Sequence, residues 1–243
     1  MPPDPKKISV DLIVFDLDGT LADTLPDLTA AANYACRTLG LPEHPPEAIR
    51  LMIGGGERKL IERLVGPEHQ DKVDKCLELY LDHYTRHNGD LTRVYPEVAE
   101  TLELLSGKKL GVLSNKLRRL TQQTLEAIGI ARFFAAIRGG GEGIPLKPAP
   151  DQLLALIADL GMSPGRTLMV GDKIADIHSG RGAGAFTAAV TYGYGDLDSL
   201  AAASPDFLLQ RISQLPSVLN EPPGFHPRGM KNPPLPPFFK GGS

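Results

Sequence analysis

The sequence predicts a doubly wound α/β fold, in which helices cover both faces of a parallel sheet and a helical insert follows the first strand. Strand-like and helical segments alternate after residue 91, which is the connection pattern of a parallel sheet. The run Leu168-Met169-Val170 is continuously apolar, as in strands buried on both faces. Residues 24–90, by contrast, show only the apolar spacing of amphipathic helices.

The predicted elements follow this scheme in chain order. An apolar run at 12–15 forms the first strand, and three or four helices form the insert. Later strands are predicted at 110–114, 134–139, 167–172, 185–193 and 206–210, and later helices at 117–128, 149–161, 175–183 and 196–203. The predicted domains are a core made of 1–23 and 91–220, a helical domain at 24–90, and a tail at 221–243.

Composition and charge limit the classes of function. The 243 residues are 42% hydrophobic with a net charge of −3, enough to fill a core but without the clustered basic residues that bind nucleic acid. We expect no membrane insertion and no secretory signal, and therefore a cytoplasmic protein. Cys36 and Cys76 lack metal-ligand spacing and are interpreted as reduced, half-buried helix residues. The Pro- and Gly-rich composition of 221–243 predicts a disordered tail.

Two acids, Asp16 and Asp18, directly follow the first strand. Residues i and i+2 of an extended chain point the same way, so both carboxylates are predicted to face one site above the sheet. Like charges this close require a cation or a proton between them. Gly19 permits a sharp turn, which the Thr20 hydroxyl could hold. A helix N-cap or ordinary turn is the alternative for the pair.

Polar residues also follow other predicted strands. Ser114 and Asn115 end one strand and could be simple N-caps or an anion site. Lys147 lies between prolines in "LKPAP", either as a surface cation or as a partner for phosphate. Asp172 ends another strand, where it could be a plain N-cap, and Asp176 comes one helical turn later, where it could be solvated. In a doubly wound sheet these strand ends converge, and four carboxylates around one point favour a hard divalent cation such as Mg²⁺.

The segments "DLDGTLADT", "SN", "LKPAP" and "GDKIAD" resemble, in order, the four motifs of the haloacid dehalogenase superfamily. The resemblance covers roughly residues 8–219, and the insert resembles the helical cap of the phosphoglycolate phosphatase subgroup. It implies a Rossmann-like core, a Mg²⁺-dependent phosphatase and a small phosphorylated metabolite as substrate. Asp16 would be the nucleophile and Asp18 the general acid and base.

The same resemblance implies the other roles. Ser114, Asn115 and Lys147 would hold the phosphoryl group, and Lys147 would also neutralise charge on the nucleophile. Mg²⁺ would be bound by the carboxylates of Asp16 and Asp172 and by the backbone carbonyl of Asp18. Asp176 would orient the metal site or Lys147 from behind.

The predicted cap contributes a glycine-rich loop at 54–56. In the resembled subgroup such a loop closes over substrate, so Gly55 and Arg58 are predicted substrate-binding residues, although a plain helix connection is the alternative. Lys59 is a candidate for the Schiff base that a phosphonatase would need. Lys173 departs from the small hydroxyl residue usual after the motif aspartate, and we expect it at the site edge or in solvent.

Several functions remain open at this level. The core motifs are shared by phosphatases of small esters, among them 2-phosphoglycolate, and by pyrophosphatases, nucleotidases and sugar-phosphate mutases. A catalytically silent module that grips a phosphorylated ligand belongs to a different class. The presence of both Asp16 and Asp18 argues against it, because a silent module needs neither acid for chemistry.

Overall fold

The structure is a computed structural model that describes residues 7–220, so the predicted tail at 221–243 lies outside the described residues. Eight strands occur there: β1 Leu12–Phe15, β2 Ala22–Asp23, β3 Arg93–Val94, β4 Lys109–Leu117, β5 Ala136–Gly140, β6 Thr167–Gly171, β7 Phe186–Val190 and β8 Phe207–Leu209. The α-helices are α1 Leu25–Thr38, α2 Pro46–Met52, α3 Glu57–Val65, α4 Val73–His87, α5 Val98–Leu104, α6 Arg118–Ala127, α7 Asp151–Asp159, α8 Ile174–Gly182 and α9 Leu197–Ala202. Short 3₁₀ segments lie at Pro67–Lys72, Ala131–Phe133, Pro164–Arg166 and Ile212–Val218.

Six parallel strands form the main sheet in the order β5-β4-β1-β6-β7-β8, which confirms the doubly wound prediction. The chain winds outward from β1 through β4 to β5, then returns to β6 beside β1 and winds the other way. The direction therefore reverses at β1, which lies between β4 and β6. Such a switch point leaves a crevice at the carboxyl ends of its strands.

Strand β1 shows why an apolar run without alternation belongs at the centre. Ile13 and Phe15 pack into the cluster on one face of the sheet, whereas Leu12 and Val14 pack into the cluster on the other. All four are fully buried. Burying one such side chain contributes about 1.5–3 kcal/mol, so this strand is fixed from both sides.

Helices α1–α4 build a separate hydrophobic cluster above the sheet, as the predicted helical insert requires. Tyr80 and Tyr84 of α4 stack in it with ring centroids 5.6 Å apart. The prediction for the cysteines was wrong in one respect, because Cys36 and Cys76 are fully buried, not half-buried. They lie on helices α1 and α4, whose buried side chains share this cluster.

A feature without a sequence signal joins the insert to the core. Strands β2 and β3 form a separate antiparallel pair, Ala22 with Val94 and Asp23 with Arg93. The segments that lead out of the core and back into it therefore lie side by side. The buried side chain of Asp27, in the first turn of α1, secures the returning segment. Its oxygens accept hydrogen bonds from the backbone N–H groups of residues 89, 91 and 92, at 2.9–3.0 Å, and from the Thr92 hydroxyl.

Most predicted boundaries differ from the observed ones by one or two residues, but the ends of β4 and β7 each differ by three, and β7 stops at Val190 instead of 193. Strand β4 differs in the other direction. It extends to Leu117 instead of ending at Ser114, and its pairing with β5 shifts register between Leu113 and Leu117. Helix α6 accordingly begins at Arg118. Over residues 7–220, none of the helices has both the length and the apolar character that crossing a bilayer would require.

Candidate active site

The predicted site residues meet at one end of the sheet. Asp16 and Asp18 follow β1, Ser114 and Asn115 lie in the irregular end of β4, and Asp172 follows β6. Lys147 lies in the loop after β5, and Asp176 is in the first turn of α8. All seven are buried, and six of them line one cavity: Asp16, Asp18, Ser114, Asn115, Lys147 and Asp176.

The turn after β1 depends on Gly19. Its φ of +86° is in the region that favours glycine. A Cβ at this position would also overlap the carboxylate of Asp172, so the backbone passes this acid closely. The prediction that the Thr20 hydroxyl holds this turn was wrong. Its Oγ1 donates to Asp172 Oδ1 at 3.0 Å, while its backbone N–H closes the turn on Leu17.

Lys147 joins two acids across the cavity floor. Its Nζ donates to Asp176 Oδ1 at 2.6 Å and to the Leu113 carbonyl at 2.8 Å, and it lies 3.0 Å from Asp16 Oδ1. Burial disfavours the ammonium, but the charges of Asp16 and Asp176 hold the pKa of Lys147 above its ordinary value. Lys147 is therefore a fixed positive charge directed at Asp16.

The two oxygens of Asp16 have different surroundings. Oδ1 accepts from the Leu17 N–H at 2.7 Å and faces Lys147. Oδ2 makes no hydrogen bond within residues 7–220, so one oxygen is held and the other is available. Burial, together with the charges of neighbouring acids, raises the pKa of Asp16 to about 7 despite the opposing effect of Lys147.

Asp172 is fully buried and is not an N-cap, so the simpler interpretation of this residue was wrong. Its Oδ2 accepts from the Tyr194 N–H at 2.7 Å, and helix α8 is capped instead by Lys173 and Asp176. Burial and the charge of Asp176 raise the pKa of Asp172 to about 6. A positive charge next to Asp172 would therefore stabilise its ionised form.

Carboxylate oxygens of Asp16, Asp172 and Asp176 lie within 4.8 Å of one another. Three closely spaced oxygen donors, all buried and two of them with pKa values raised by burial, form the set that a hard divalent cation prefers. The Asp18 carboxylate is outside this group, in keeping with the prediction that Asp18 would offer its backbone carbonyl.

Ser114 and Asn115 are not N-caps, because helix α6 starts after Leu117. The Asn115 side chain connects three segments: Nδ2 donates to the carbonyls of Gly54 and Lys147 at 2.8 Å each, and Oδ1 accepts from the Lys147 N–H at 2.9 Å. The Asn115 amide is thus hydrogen-bonded to backbone groups on both sides, and it fixes the position of the Lys147 backbone. The Ser114 hydroxyl accepts only a long bond, 3.3 Å, from Lys116 N–H.

Lys116 was missed by the sequence analysis. It is only 5% exposed, and its Nζ donates to Asp18 Oδ1 at 2.5 Å and to the Tyr84 hydroxyl at 2.8 Å. The same Asp18 oxygen also accepts from the Thr24 hydroxyl at 2.5 Å. The available signal was the extension of the polar run in "LSNK", but a lysine just before a helix is normally solvated.

Helices α1, α3 and α4 and the loop before α3 cover the cavity: the helices contribute Leu28, Glu57, Leu60 and Tyr80, and the loop contributes Gly54 and Gly56. Arg58 and Gly55 are not among the lining residues. Glu57 and Leu60 point inward from α3, so Arg58, one residue from Glu57, points outward. It pairs with Asp74 on the surface at 2.6 Å, and its side chain is 58% exposed. The structure therefore does not bring Arg58 to the cavity.

Besides the Lys116–Tyr84 contact, further hydrogen bonds join the helical part to the core around this cavity. Asn115 donates to the Gly54 carbonyl, and the Leu117 N–H donates to Glu57 Oε1 at 2.8 Å. Arg50 donates to the Gly193 carbonyl at 2.8 Å. Lys173, which lines the cavity edge as expected, donates to the Ile53 carbonyl at 2.6 Å.

Comparison with known proteins supports the same interpretation. The profile of haloacid dehalogenase-like hydrolases matches residues 13–190. A phosphoglycolate phosphatase of Aquifex aeolicus is 37% identical over 211 residues, covering 86% of this chain and 96% of the relative. A phosphoglycolate phosphatase of Vibrio parahaemolyticus is 35% identical over 219 residues, with the same coverage. The crystal structure of a predicted phosphoglycolate phosphatase from Haemophilus somnus superposes with a TM-score of 0.81 at 30% identity, covering 86% of this chain and 97% of that one.

Proposed function

Because the chain belongs to the family of haloacid dehalogenase-like hydrolases, we propose that this cavity hydrolyses a small phosphomonoester through an aspartyl-phosphate on Asp16. The observation that carries the proposal is the asymmetry of the Asp16 carboxylate. One oxygen is held by Leu17 and Lys147, and the other has no hydrogen-bond partner within the described residues. Such an oxygen is placed to attack a phosphorus atom.

The residues around Asp16 supply what phosphoryl transfer requires, namely positioning and charge neutralisation. Lys147 offsets the repulsion between an anionic nucleophile and an anionic phosphate, and Ser114 offers a hydroxyl to a phosphoryl oxygen. Asn115 acts indirectly, because its side chain fixes the Lys147 backbone. Asp176 holds the Lys147 ammonium in place.

Asp18 provides the proton chemistry in this proposal. It lines the same cavity as Asp16 and follows it by two residues in the chain. Asp18 protonates the leaving oxygen while the P–O bond breaks and the bond to Asp16 forms. It then takes a proton from the water that attacks the aspartyl-phosphate, which restores Asp16 and releases inorganic phosphate.

The acid cluster fits Mg²⁺, which prefers about six oxygen ligands and retains some waters. Asp16, Asp172 and the backbone carbonyl of Asp18 would hold it, with Asp176 close by. When bound, it supplies positive charge to the nucleophile and to the phosphoryl oxygens. Thr20 and the Tyr194 N–H orient Asp172 from behind for this purpose.

The substrate we propose is 2-phosphoglycolate, because the relatives with about 35–37% identity carry the name phosphoglycolate phosphatase. The small, covered cavity supports a short ester over a nucleotide. Sugar-phosphate mutases and pyrophosphatases share the core chemistry but need room for a larger ligand or a second phosphate.

The test is release of inorganic phosphate from 2-phosphoglycolate, p-nitrophenyl phosphate, pyrophosphate and a nucleoside monophosphate, each with Mg²⁺ and with EDTA. We expect Mg²⁺-dependent turnover, with the highest kcat/KM for 2-phosphoglycolate. Turnover of none of the four with Mg²⁺ would refute the phosphatase proposal. A preference for pyrophosphate or the nucleotide would refute the proposed substrate alone.

A further inference from the structure

Lys116 lines the cavity and is buried, but the proposed mechanism gives it no role. Three lysines line the cavity: Lys116, Lys147 and Lys173. Lys147 directs all of its donors at Asp16, Asp176 and the Leu113 carbonyl. Lys173 is only half-buried, and its ammonium donates a hydrogen bond to the Ile53 carbonyl. Lys116 is held by Asp18 and Tyr84, which leaves one of its three donors unmatched within the described residues.

The contact between Lys116 and Asp18 occupies only one oxygen of Asp18. Asp18 Oδ1 accepts from both Lys116 and Thr24 at 2.5 Å, whereas Oδ2 has no hydrogen-bond partner within the described residues. Lys116 is only 5% exposed, and its ammonium keeps one N–H without a partner there. A buried ammonium with an unmatched donor is stabilised by a further anion.

A substrate with a second negative group supplies that anion. Lys116 follows Ser114 by two residues on β4, and both residues line the same cavity. The Lys116 ammonium therefore lies in the same cavity as the proposed phosphate site. Glu57, an acid that the helical part adds to the cavity, accepts a hydrogen bond from the Leu117 N–H and makes none with Lys116. Charges in a water-excluded cavity interact far more strongly than on the surface, where Arg58 and Lys59 lie.

We infer that Lys116 receives the carboxylate of a short phosphorylated carboxylic acid through its remaining N–H donor. The inference rests on the proposed phosphatase function and adds the residue that distinguishes this substrate class from neutral esters. Lys116 is thus a specificity-determining residue. Tyr84, which reaches the same ammonium from α4, holds it in position from the helical side.

The experiment compares three esters that differ only at one end: 2-phosphoglycolate with a carboxylate, 2-hydroxyethyl phosphate with a hydroxyl, and phosphoethanolamine with an ammonium. For the wild-type protein with saturating Mg²⁺ we expect kcat/KM to fall in that order. The Lys116→Met variant should lose about 10- to 100-fold of the preference for the carboxylate over the hydroxyl, the range of one charge-assisted contact. Lys116→Arg should keep most of that preference.

The control is Lys59→Met, which removes an exposed cation from α3 and should leave the preference unchanged. A wild-type protein that hydrolyses all three esters equally would overturn the inference while leaving the phosphatase proposal intact, and this result does not depend on a variant folding. Equal losses on all three esters in Lys116→Met would also overturn it, as would a preference that disappears in Lys173→Met but not in Lys116→Met. Absence of turnover with any ester would refute the phosphatase function itself.

Discussion

The ammonium of Lys147 lies 3.0 Å from Asp16 Oδ1 and 2.6 Å from Asp176 Oδ1, and all three residues are buried. One lysine cannot neutralise three clustered acids, since Asp172 lies with Asp16 and Asp176 in the same group. The residual negative charge at this point is the physical basis of the proposed metal site and of the predictions that follow.

Replacing Asp16 with Asn should abolish turnover while preserving the fold. An amide of the same shape keeps the packing but cannot form the acyl phosphate, so we expect a loss of more than about 10³-fold in kcat, beyond the effect of removing one stabilising donor. Phosphate release and a thermal unfolding curve measure the two properties. A variant that retains a tenth of wild-type turnover would exclude Asp16 as the nucleophile.

Thermal stabilisation by Mg²⁺ should depend on pH. Burial raises the pKa of Asp16 to about 7 and that of Asp172 to about 6, against an ordinary value near ~4. A raised acid pKa favours the metal-free fold below about pH 4, and this stability is lost as pH rises through about 6–7. The ionised acids then bind Mg²⁺ more tightly, so Mg²⁺ should raise the unfolding midpoint more at pH 8 than at pH 5.5.

At 100 times its dissociation constant, a ligand adds roughly 2.7 kcal/mol of stability, which differential scanning calorimetry resolves easily. Asp172→Asn should lose most of the gain at pH 8. Asp198→Asn, a change at an exposed acid of α9, should keep it. An equal gain at both pH values in the wild-type protein would contradict the assignment of these acids as ligands.

Ca²⁺ should inhibit, and excess Mg²⁺ should relieve the inhibition. The larger ion takes about six to eight ligands and often binds a carboxylate through both oxygens. In this cluster it would also engage the oxygen of Asp16 that is proposed to attack. Initial rates over a matrix of the two ions provide the measurement. Full turnover with Ca²⁺ as the only divalent ion would rule out this account.

Gly19→Ala should be more costly than Gly40→Ala. Both glycines have positive φ, +86° and +65°, so each substitution carries about 1–2 kcal/mol of backbone strain. Only at Gly19 would the new Cβ also overlap the Asp172 carboxylate, because the space around Gly40 is open. Chemical denaturation should show the larger loss at Gly19, together with weaker Mg²⁺ activation. Equal losses would mean that the close approach of Gly19 to Asp172 is unimportant.

Asp27→Asn should destabilise the protein by about 1.5–3 kcal/mol, because the charge that accepts four hydrogen bonds from residues 89–92 is removed. Asp74→Asn is the matched control, since its ion pair with Arg58 is exposed and should contribute at most about 1 kcal/mol. Urea unfolding of both variants provides the comparison. If the two variants unfold at the same concentration, Asp27 does not secure the returning chain.

The elements that the sequence predicted well are those with a repeated local signal. Strand β1 and strand β6 are continuous apolar runs, and an acid follows each of them, so both the strand and its chemical residue were visible together. The same pattern predicts that Asp16 and Asp172 meet at one edge of the sheet, where they are found. The core motifs therefore needed little tertiary information.

The parts that were missed depend on contacts between distant segments. The β2–β3 pair has only two residues in each strand, too few for any periodicity. Lys116 is buried only because Asp18 and Tyr84, far away in sequence, meet its ammonium. Arg58 had a plausible place in a glycine-rich loop, but the inward direction of Glu57 and Leu60 fixes the rotation of α3 and turns Arg58 outward.

The antiparallel pairing of β2 with β3 also affects how this protein can vary. It holds both ends of the helical insert side by side, so the insert is a closed loop whose entropic cost grows only with the logarithm of its length. The helical insert can therefore change in length or sequence at little entropic cost, while the acids and Lys116 stay at the strand ends of the core.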